Sequence, residues 1–250
     1  DLLSGVTSFF RDPEAKMELE ERWRPELLAR VSDREIRFWV AGCSTGEEAY
    51  TIAIMAKEVM EKMGVKRDIK IFATDIDRDA IATASAGIYP EGIIGDLSPR
   101  ITGKYFYHKE DKLQVARHLR EMVVFAQHNI IRDPPFTNID LVSCRNLLIY
   151  LQPVLQRKAF EMFNFSLNAH GLLFLGTSES IGDMDDCFEL LNQKYKLYRS
   201  KGKPQLLQRD IEIPGKERHL LQPLYRGRER RQIDTEGNRH AMLQPLAPGG

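Results

Sequence analysis

The chain has 250 residues, 42% hydrophobic and 29% charged, enough for one substantial core and a small appendage. Lys and Arg total 36 against 36 Asp and Glu, a balance that gives no global field for drawing in nucleic acid. With no apolar run near the length of a membrane span, no signal peptide, and Cys43, Cys144 and Cys187 far apart without a CxxC spacing, membrane insertion, disulfides and zinc are not expected, and a reducing cytoplasm is.

In chain order, residues 4–30 read as helices broken near Pro13 and again before Pro25, because proline removes a backbone donor and crowds the preceding turn. The apolar run Ile36–Ala41 is a strand ending in glycine. The stretch from Glu47 to Met63 carries apolar residues at helical spacing up to a stop at Gly64. Ile69–Asp75 repeats the strand pattern, Arg78–Ala86 supplies a helix closing at Gly87, and Ile139–Cys144 reads as a third buried strand. Gln152–Gly171 leads as a helix into a fourth strand, Leu172–Gly176, and Tyr195–Ser200 reads as a last one. Strands separated by helices predict a Rossmann-like α/β domain over residues 34–200, with a mostly parallel sheet covered on both faces. Residues 97–125 hold a helix-like start and an antiparallel hairpin with a charged tip, read as a small inserted β-subdomain. Residues 1–33 read as a remnant N-terminal helical element. Residues 201–250, rich in Pro, Gly, Gln, Arg and Lys without apolar periodicity, read as a linker or disordered tail.

Ligands of open α/β sheets gather at the carboxyl ends of the strands, so the turn Gly42–Gly46 and Asp75 after the next strand are the first candidates. The helix after the turn begins with Glu47 and Glu48. A helix N-terminus suits a phosphate when its N–H groups are bare, and two acids there argue against a nucleotide phosphate. The turn also departs from the GxGxxG of dinucleotide dehydrogenases and from the Gly-Lys-Ser/Thr of a P-loop. Asp75 can accept hydrogen bonds from both ribose hydroxyls, and Glu48 can meet a cation. S-adenosylmethionine, with a ribose, an ammonium and a sulfonium but no phosphate, fits this set best. The plainer reading is that Glu47 and Glu48 complement the helix dipole, and that Asp75 or Asp77 caps the following helix.

Five stretches in order, VTSFFRDP, GCSTGEEAY, FATDID, DLVSCRNLLIYL and GLLFLGTSES, resemble the motifs of the CheR chemotaxis receptor methyltransferases, especially the version found in CheB/CheR fusion proteins. The resemblance covers about residues 4–200. It implies a class I S-adenosylmethionine-dependent methyltransferase, specifically a cytoplasmic protein-glutamate O-methyltransferase. Its substrates would be glutamates on the cytoplasmic helices of methyl-accepting chemotaxis receptors, and its second product S-adenosylhomocysteine. Beside Gly42 of the turn, it implies cofactor contacts at Thr7, Arg11, Glu48, Asp75, Asn129, Ile130, Arg145 and Asn146. Arg145 and Tyr150 are similar to the catalytic pair beside the transferred methyl. Thr7 and Arg11, four apart, would share a helical face. Asn129, which read alone is a turn residue, would line the adenine, with Ile130 packed on the ring. An arginine directly after a buried strand needs a partner on any reading. A glutamate carboxylate, with a reference pKa of about 4.3, is already ionised at neutral pH, so positioning is needed more than a general base. Arg145 is expected to orient the substrate carboxylate and Tyr150 to fix the angle of attack.

Departures from the family narrow the expectation. Asp133–Phe136 (DPPF) looks like the DPPY-type motif of amine methyltransferases, but it precedes the strand Ile139–Cys144 instead of following one, so a simple turn is expected there. Gly5 stands where stand-alone members usually carry an asparagine, which removes one cofactor contact. The hairpin FYHKEDKLQV has no glycine, so no tether to a receptor's C-terminal pentapeptide is expected. A module that binds S-adenosylmethionine or a receptor without turnover is the alternative function. The expected form is a monomer or part of a longer multidomain chain, with no nucleic acid partner.

Overall fold

The computed structural model describes residues 7–29 and 34–202. Its first half runs α1 (Pro13–Ala29), β1 (Ile36–Ala41), α2 (Glu47–Met63), β2 (Ile69–Asp75), α3 (Arg78–Ala86), β3 (Ile88–Pro90), α4 (Pro99–Tyr105), β4 (Phe106–Lys109) and β5 (Lys112–Val115). Its second half runs α5 (Arg117–Arg120), β6 (Val123–Gln127), β7 (Ile139–Cys144), α6 (Pro153–Ser166), β8 (Leu167–Leu175), β9 (Phe188–Asn192) and β10 (Leu197–Ser200).

Seven strands form one sheet in the order β6-β2-β1-β7-β8-β10-β9. The pairs from β6 to β8 are parallel, and β10 is antiparallel to both β8 and β9. Strand β1 is central and buried on both faces, as a parallel strand under two helical layers must be. Its Phe38 and Val40 pack with α1 and α2, whereas Trp39 and Ala41 pack with α6. This is the Rossmann-like arrangement expected from the alternation of elements. Among the described residues, no helix is long and apolar enough to cross a membrane.

The expected hairpin forms from β4 and β5, and β3, which the sequence reading did not separate, completes a three-stranded antiparallel sheet in the order β3-β5-β4. Residues 123–125, counted with this subdomain on sequence, belong instead to β6 of the large sheet. Helix α6 ends at Ser166, and β8 begins five residues before the expected strand. Strand β9 was not expected at all, because Glu189 and three further exposed or half-buried positions leave it without a clean apolar alternation.

Pro13 starts α1, but Pro25 does not break it. Pro25 is exposed and lies in the last turn or so, where its missing N–H removes a single backbone bond. Meanwhile Ala15, Leu19 and Trp23 hold one face to the core, with Trp23 stacked on Phe38 at 5.2 Å between ring centres. Asp133–Phe136 is irregular, as expected, and Phe136 packs against Trp39 and Phe72 at 5.1 and 5.0 Å. Its ring is therefore used by the core. Gly5, the ends of the 1–33 element and all but two residues of the 201–250 tail lie outside the described residues.

Candidate active site

The carboxyl ends of β1, β2, β6 and β7 meet at one edge of the large sheet. After β1 the chain turns at Gly42 with φ +72°, and the Gly42 and Cys43 N–H groups donate to the Thr74 carbonyl at 2.8 and 2.9 Å. A Cβ at position 42 would lie 2.7 Å from Leu147 Cδ2, so both the backbone handedness and the space call for glycine. Ser44 and Asn146 are also left-handed, at φ +48° and +58°. Such conformations cost free energy in non-glycine residues and concentrate at ligand sites.

Asp75 Oδ2 accepts the Ser44 N–H at 2.8 Å, and Oδ1 accepts the Asp77 N–H at 3.0 Å. It is Asp77, not Asp75, that caps α3. Each Asp75 oxygen keeps a second lone pair for a hydroxyl donor. Asn129 is a turn residue in fact: its Oδ1 accepts the Ile131 N–H at 2.9 Å, and its own N–H donates to Asp133 Oδ2 at 2.7 Å. Asp133 of DPPF thus shapes the turn beside the site.

Two cavities open here. The larger, about 360 Å³, is lined by Gly42, Asp75, Asn129, Ile130, Leu147 and Leu151 among others. The smaller, about 80 Å³, is lined by Thr7, Arg11, Gly42, Glu48, Arg145 and Asn146 among others. Gly42 is common to both. Every residue expected to touch the cofactor therefore borders one cavity or the other. Tyr150 borders neither: it sits 61% exposed in the short turn Leu148–Tyr150, outside the smaller cavity that Arg145 helps to enclose. A wider open groove of about 880 Å³ passes Lys57, Gly64, Lys104 and His118 and contains none of the expected residues.

Thr7 and Arg11 do not share a helical face. The segment before Pro13 is irregular, with Phe10 and Asp12 at φ +51° and +53°. A residue preceding proline is pushed out of the helical region, so α1 cannot extend backward through Asp12. The segment is held instead by Phe9, edge-on to Tyr89 and Phe106, and by the Phe10 N–H donating to Thr51 Oγ1 at 3.1 Å.

Charge in the smaller cavity is dense and paired. Glu48 Oε1 accepts the Ser143 hydroxyl at 2.9 Å, while Oε2 pairs with the Lys16 ammonium and lies 3.7 Å from Arg145 Nη1. Burial by itself would raise the Glu48 pKa, but Lys16 and Arg145 hold it below the usual carboxylate range. Burial pushes the Lys16 ammonium down to about 8, against the attraction of Glu48 and with the repulsion of Arg145. The Arg145 side chain, 4% exposed, pairs with Asp12 and lies over Phe174, 4.7 Å from the ring centre. Among the described residues its Nε has no hydrogen-bond partner, leaving one buried donor at the cavity wall. Burial also pushes the thiols of Cys43 and Cys144 up, so neither is a thiolate nucleophile at neutral pH.

Lys16, Asp12 and Ser143 escaped the sequence reading. Asp12 and Ser143 lie inside motifs already singled out. Lys16 carried its own signal, since it shares the i, i+3, i+7 face of α1 with the buried Leu19 and Trp23. A lysine on an apolar face announces a buried partner.

The donor set suits a ligand with hydroxyls, an ammonium and no phosphate. Asp75 offers spare acceptor capacity, Glu48 is an anion at the start of α2, and the bare backbone of Gly42 joins two cavities of unequal size.

Residues 5–197 match the family model described as CheR methyltransferase, SAM binding domain. A 104.1 kDa protein of Rhodobacter capsulatus is 39% identical over 201 residues, which are 80% of this chain and 21% of that protein. The chemotaxis protein methyltransferase of Borreliella burgdorferi is 37% identical over 196 residues, 76% of this chain and 69% of the relative. Chemotaxis protein methyltransferase 1 of Vibrio cholerae is 33% identical over 194 residues, 76% of this chain and 70% of the relative. The chain thus spans about a fifth of the Rhodobacter protein and roughly two thirds or more of the other two.

Proposed function

Since the chain belongs to the CheR methyltransferase family and S-adenosylmethionine is the cofactor of that domain, we propose that it methylates glutamate side chains of methyl-accepting chemotaxis or related signalling receptors, giving methyl esters. The observation that carries this reading is the convergence of Thr7, Arg11, Gly42, Glu48, Asp75, Asn129, Ile130, Arg145 and Asn146 on two cavities joined at Gly42. These residues come from separate motifs spread over most of the described chain, and a shared ligand accounts for their meeting at one edge of the sheet.

In this reading Asp75 holds the ribose hydroxyls, with Asn129 and Ile130 at the adenine. Glu48 meets the ammonium of the methionine part, already steadied by Lys16 and Ser143 so that it stays ionised. Arg145 stiffens the wall of the smaller cavity between Asp12, Glu48 and Phe174. The bound cofactor supplies an electrophilic methyl on sulfur. The protein's share is to bring an ionised glutamate into line with it and to keep water away, since the opposite charges of carboxylate and sulfonium cancel as the bond forms. Tyr150, exposed beside the site, is the residue in this set best placed to meet the incoming substrate and set its angle of attack. Receptor helices are engaged without a pentapeptide tether, because the β4–β5 hairpin turns through Glu110 and Asp111 and offers no glycine-rich loop.

The test is transfer of labelled methyl from S-adenosylmethionine to receptor cytoplasmic fragments, followed by base treatment. Label released by base, and transfer lowered on the order of 10² by Tyr150→Phe or Tyr150→Ala with S-adenosylhomocysteine affinity unchanged, is the expected result. A base-stable mark would mean methylamine and revive the amine reading. Tight cofactor binding without transfer to any receptor fragment would favour the non-catalytic module.

A further inference from the structure

The loop that leaves β7 carries Arg145 and Asn146 into the smaller cavity, and its shape is set by a residue on the neighbouring strand's loop. Glu179, four residues after β8 ends, is 4% exposed. Its Oε2 accepts the N–H of Asn146 at 3.1 Å and of Gly176 at 2.6 Å. Its Oε1 accepts the N–H of Leu147 at 3.0 Å and of Leu148 at 2.8 Å. Among the described residues these partners are all backbone, so a buried anion is balanced by four peptide dipoles.

Burying a carboxylate costs several kcal/mol unless its oxygens are satisfied, and here every bond that satisfies it also fixes the backbone of a site loop. Successive N–H groups around a left-handed residue form a nest for an anion. The nest at Asn146, with φ +58°, is filled from within the chain. The fit is close. A Cβ at Gly176 would lie 2.9 Å from the Asn146 nitrogen and 2.9 Å from Glu179 Oε2. Because β7 and β8 are paired in register at Cys144 and Leu175, the carboxylate bridges two loops that leave the sheet side by side.

We infer that Glu179 is a positioning residue for the cofactor cavity: by clamping the backbone of Asn146 to Leu148 it holds Arg145 and Asn146 in their cofactor-facing arrangement. The inference rests on the cofactor-site reading given above, and it assigns Glu179 no contact with cofactor or substrate. Glu179→Gln is nearly isosteric but places an NH2 group against one pair of N–H donors, so the clamp opens on one side.

The experiment is calorimetric titration of the whole chain with S-adenosylhomocysteine, as wild type, Glu179→Gln, Asn146→Ala and the double variant, well below each melting temperature. Glu179→Gln is expected to weaken affinity about tenfold, the scale of a lost charge-assisted hydrogen bond. In the Asn146→Ala background its further effect is expected to shrink to less than about threefold, because both changes act through one loop. A merely structural role would lower the melting temperature and leave affinity, or its additivity with Asn146→Ala, unchanged, and either result overturns the inference. If Glu179→Gln does not fold, Gly176→Ala crowds the same clamp with the carboxylate retained and carries the same expectations. A wild-type chain that binds no S-adenosylhomocysteine overturns the cofactor-site reading itself, whereas normal binding by Glu179→Gln beside a normal wild type overturns only the role of Glu179.

Discussion

Lys16 on α1 and Glu48 on α2 form a buried ion pair beside the smaller cavity, with the lysine only 2% exposed. The folded-state pKa of Lys16 is about 8, below the ordinary lysine value. Between pH 8 and about 10.5 the unfolded chain therefore holds a proton that the folded chain has released, and raising the pH favours folding over that interval. Lys16→Met should lack this rise. Melting temperatures of both chains at intervals from pH 7 to about 10.5 test it, and parallel curves would show that Lys16 does not titrate there.

Asp75→Ala should weaken S-adenosylhomocysteine binding by about 10- to 100-fold, the range for hydrogen bonds to a charged acceptor. Part of the loss comes through the Ser44 N–H, which Asp75 holds at 2.8 Å. Asp75→Asn keeps one acceptor and should fall between the two in calorimetry. An unchanged affinity in Asp75→Ala would remove the ribose from this position.

Gly42→Ala should destabilise the fold and disturb the site together. The added methyl meets Leu147 Cδ2 at 2.7 Å, on a backbone at φ +72°. Strain of about 1 to 3 kcal/mol corresponds to a drop of about 3 to 10 °C in melting temperature for a domain of this size. Calorimetric scanning with and without S-adenosylhomocysteine checks it, and the stabilisation by ligand should be smaller in the variant.

Glu58 couples α2 to α4. It accepts from Arg100 at 2.6 Å, Lys104 at 2.8 Å and the Tyr105 hydroxyl at 2.7 Å. Burial opposes ionisation, but these three partners hold its carboxyl at about 2. Its contribution is then complete above the unfolded value near 4.5 and lost as the pH falls toward 2. Glu58→Gln should unfold at lower urea than wild type at neutral pH, with the gap narrowing below about pH 4. A gap independent of pH would assign the effect to packing.

The large sheet was legible because its central strands are buried on both faces and announce themselves as short apolar runs bounded by glycine and acid, as Ile36–Ala41 and Ile69–Asp75 do. Strands β3 and β9 were not, because short or edge strands owe their pairing to neighbours and carry little pattern of their own. Of the residues bordering the two cavities, Gly42, Glu48 and Asp75 were singled out from chemistry alone. Arg11, Asn129 and Asn146 needed the family resemblance, since a polar residue in an irregular segment looks the same whether it faces a ligand or water. Lys16 and Glu179 are tertiary facts. One is explained by Glu48, 32 positions away in sequence, and the other by a loop 31 to 33 positions earlier.

The last strand is also an inner one. Residues 197–200 lie between β8 and β9, which do not pair with each other. Until that segment has left the ribosome, β9 has no sheet to join and β8 presents a bare edge. Assembly of this side of the domain therefore waits for Leu197–Ser200, and a chain cut before Leu197 would carry an open, apolar strand edge, the kind that recruits other chains. Any shortened version of this domain must accordingly keep Leu197–Ser200 to stay soluble in expression, quite apart from ligand binding.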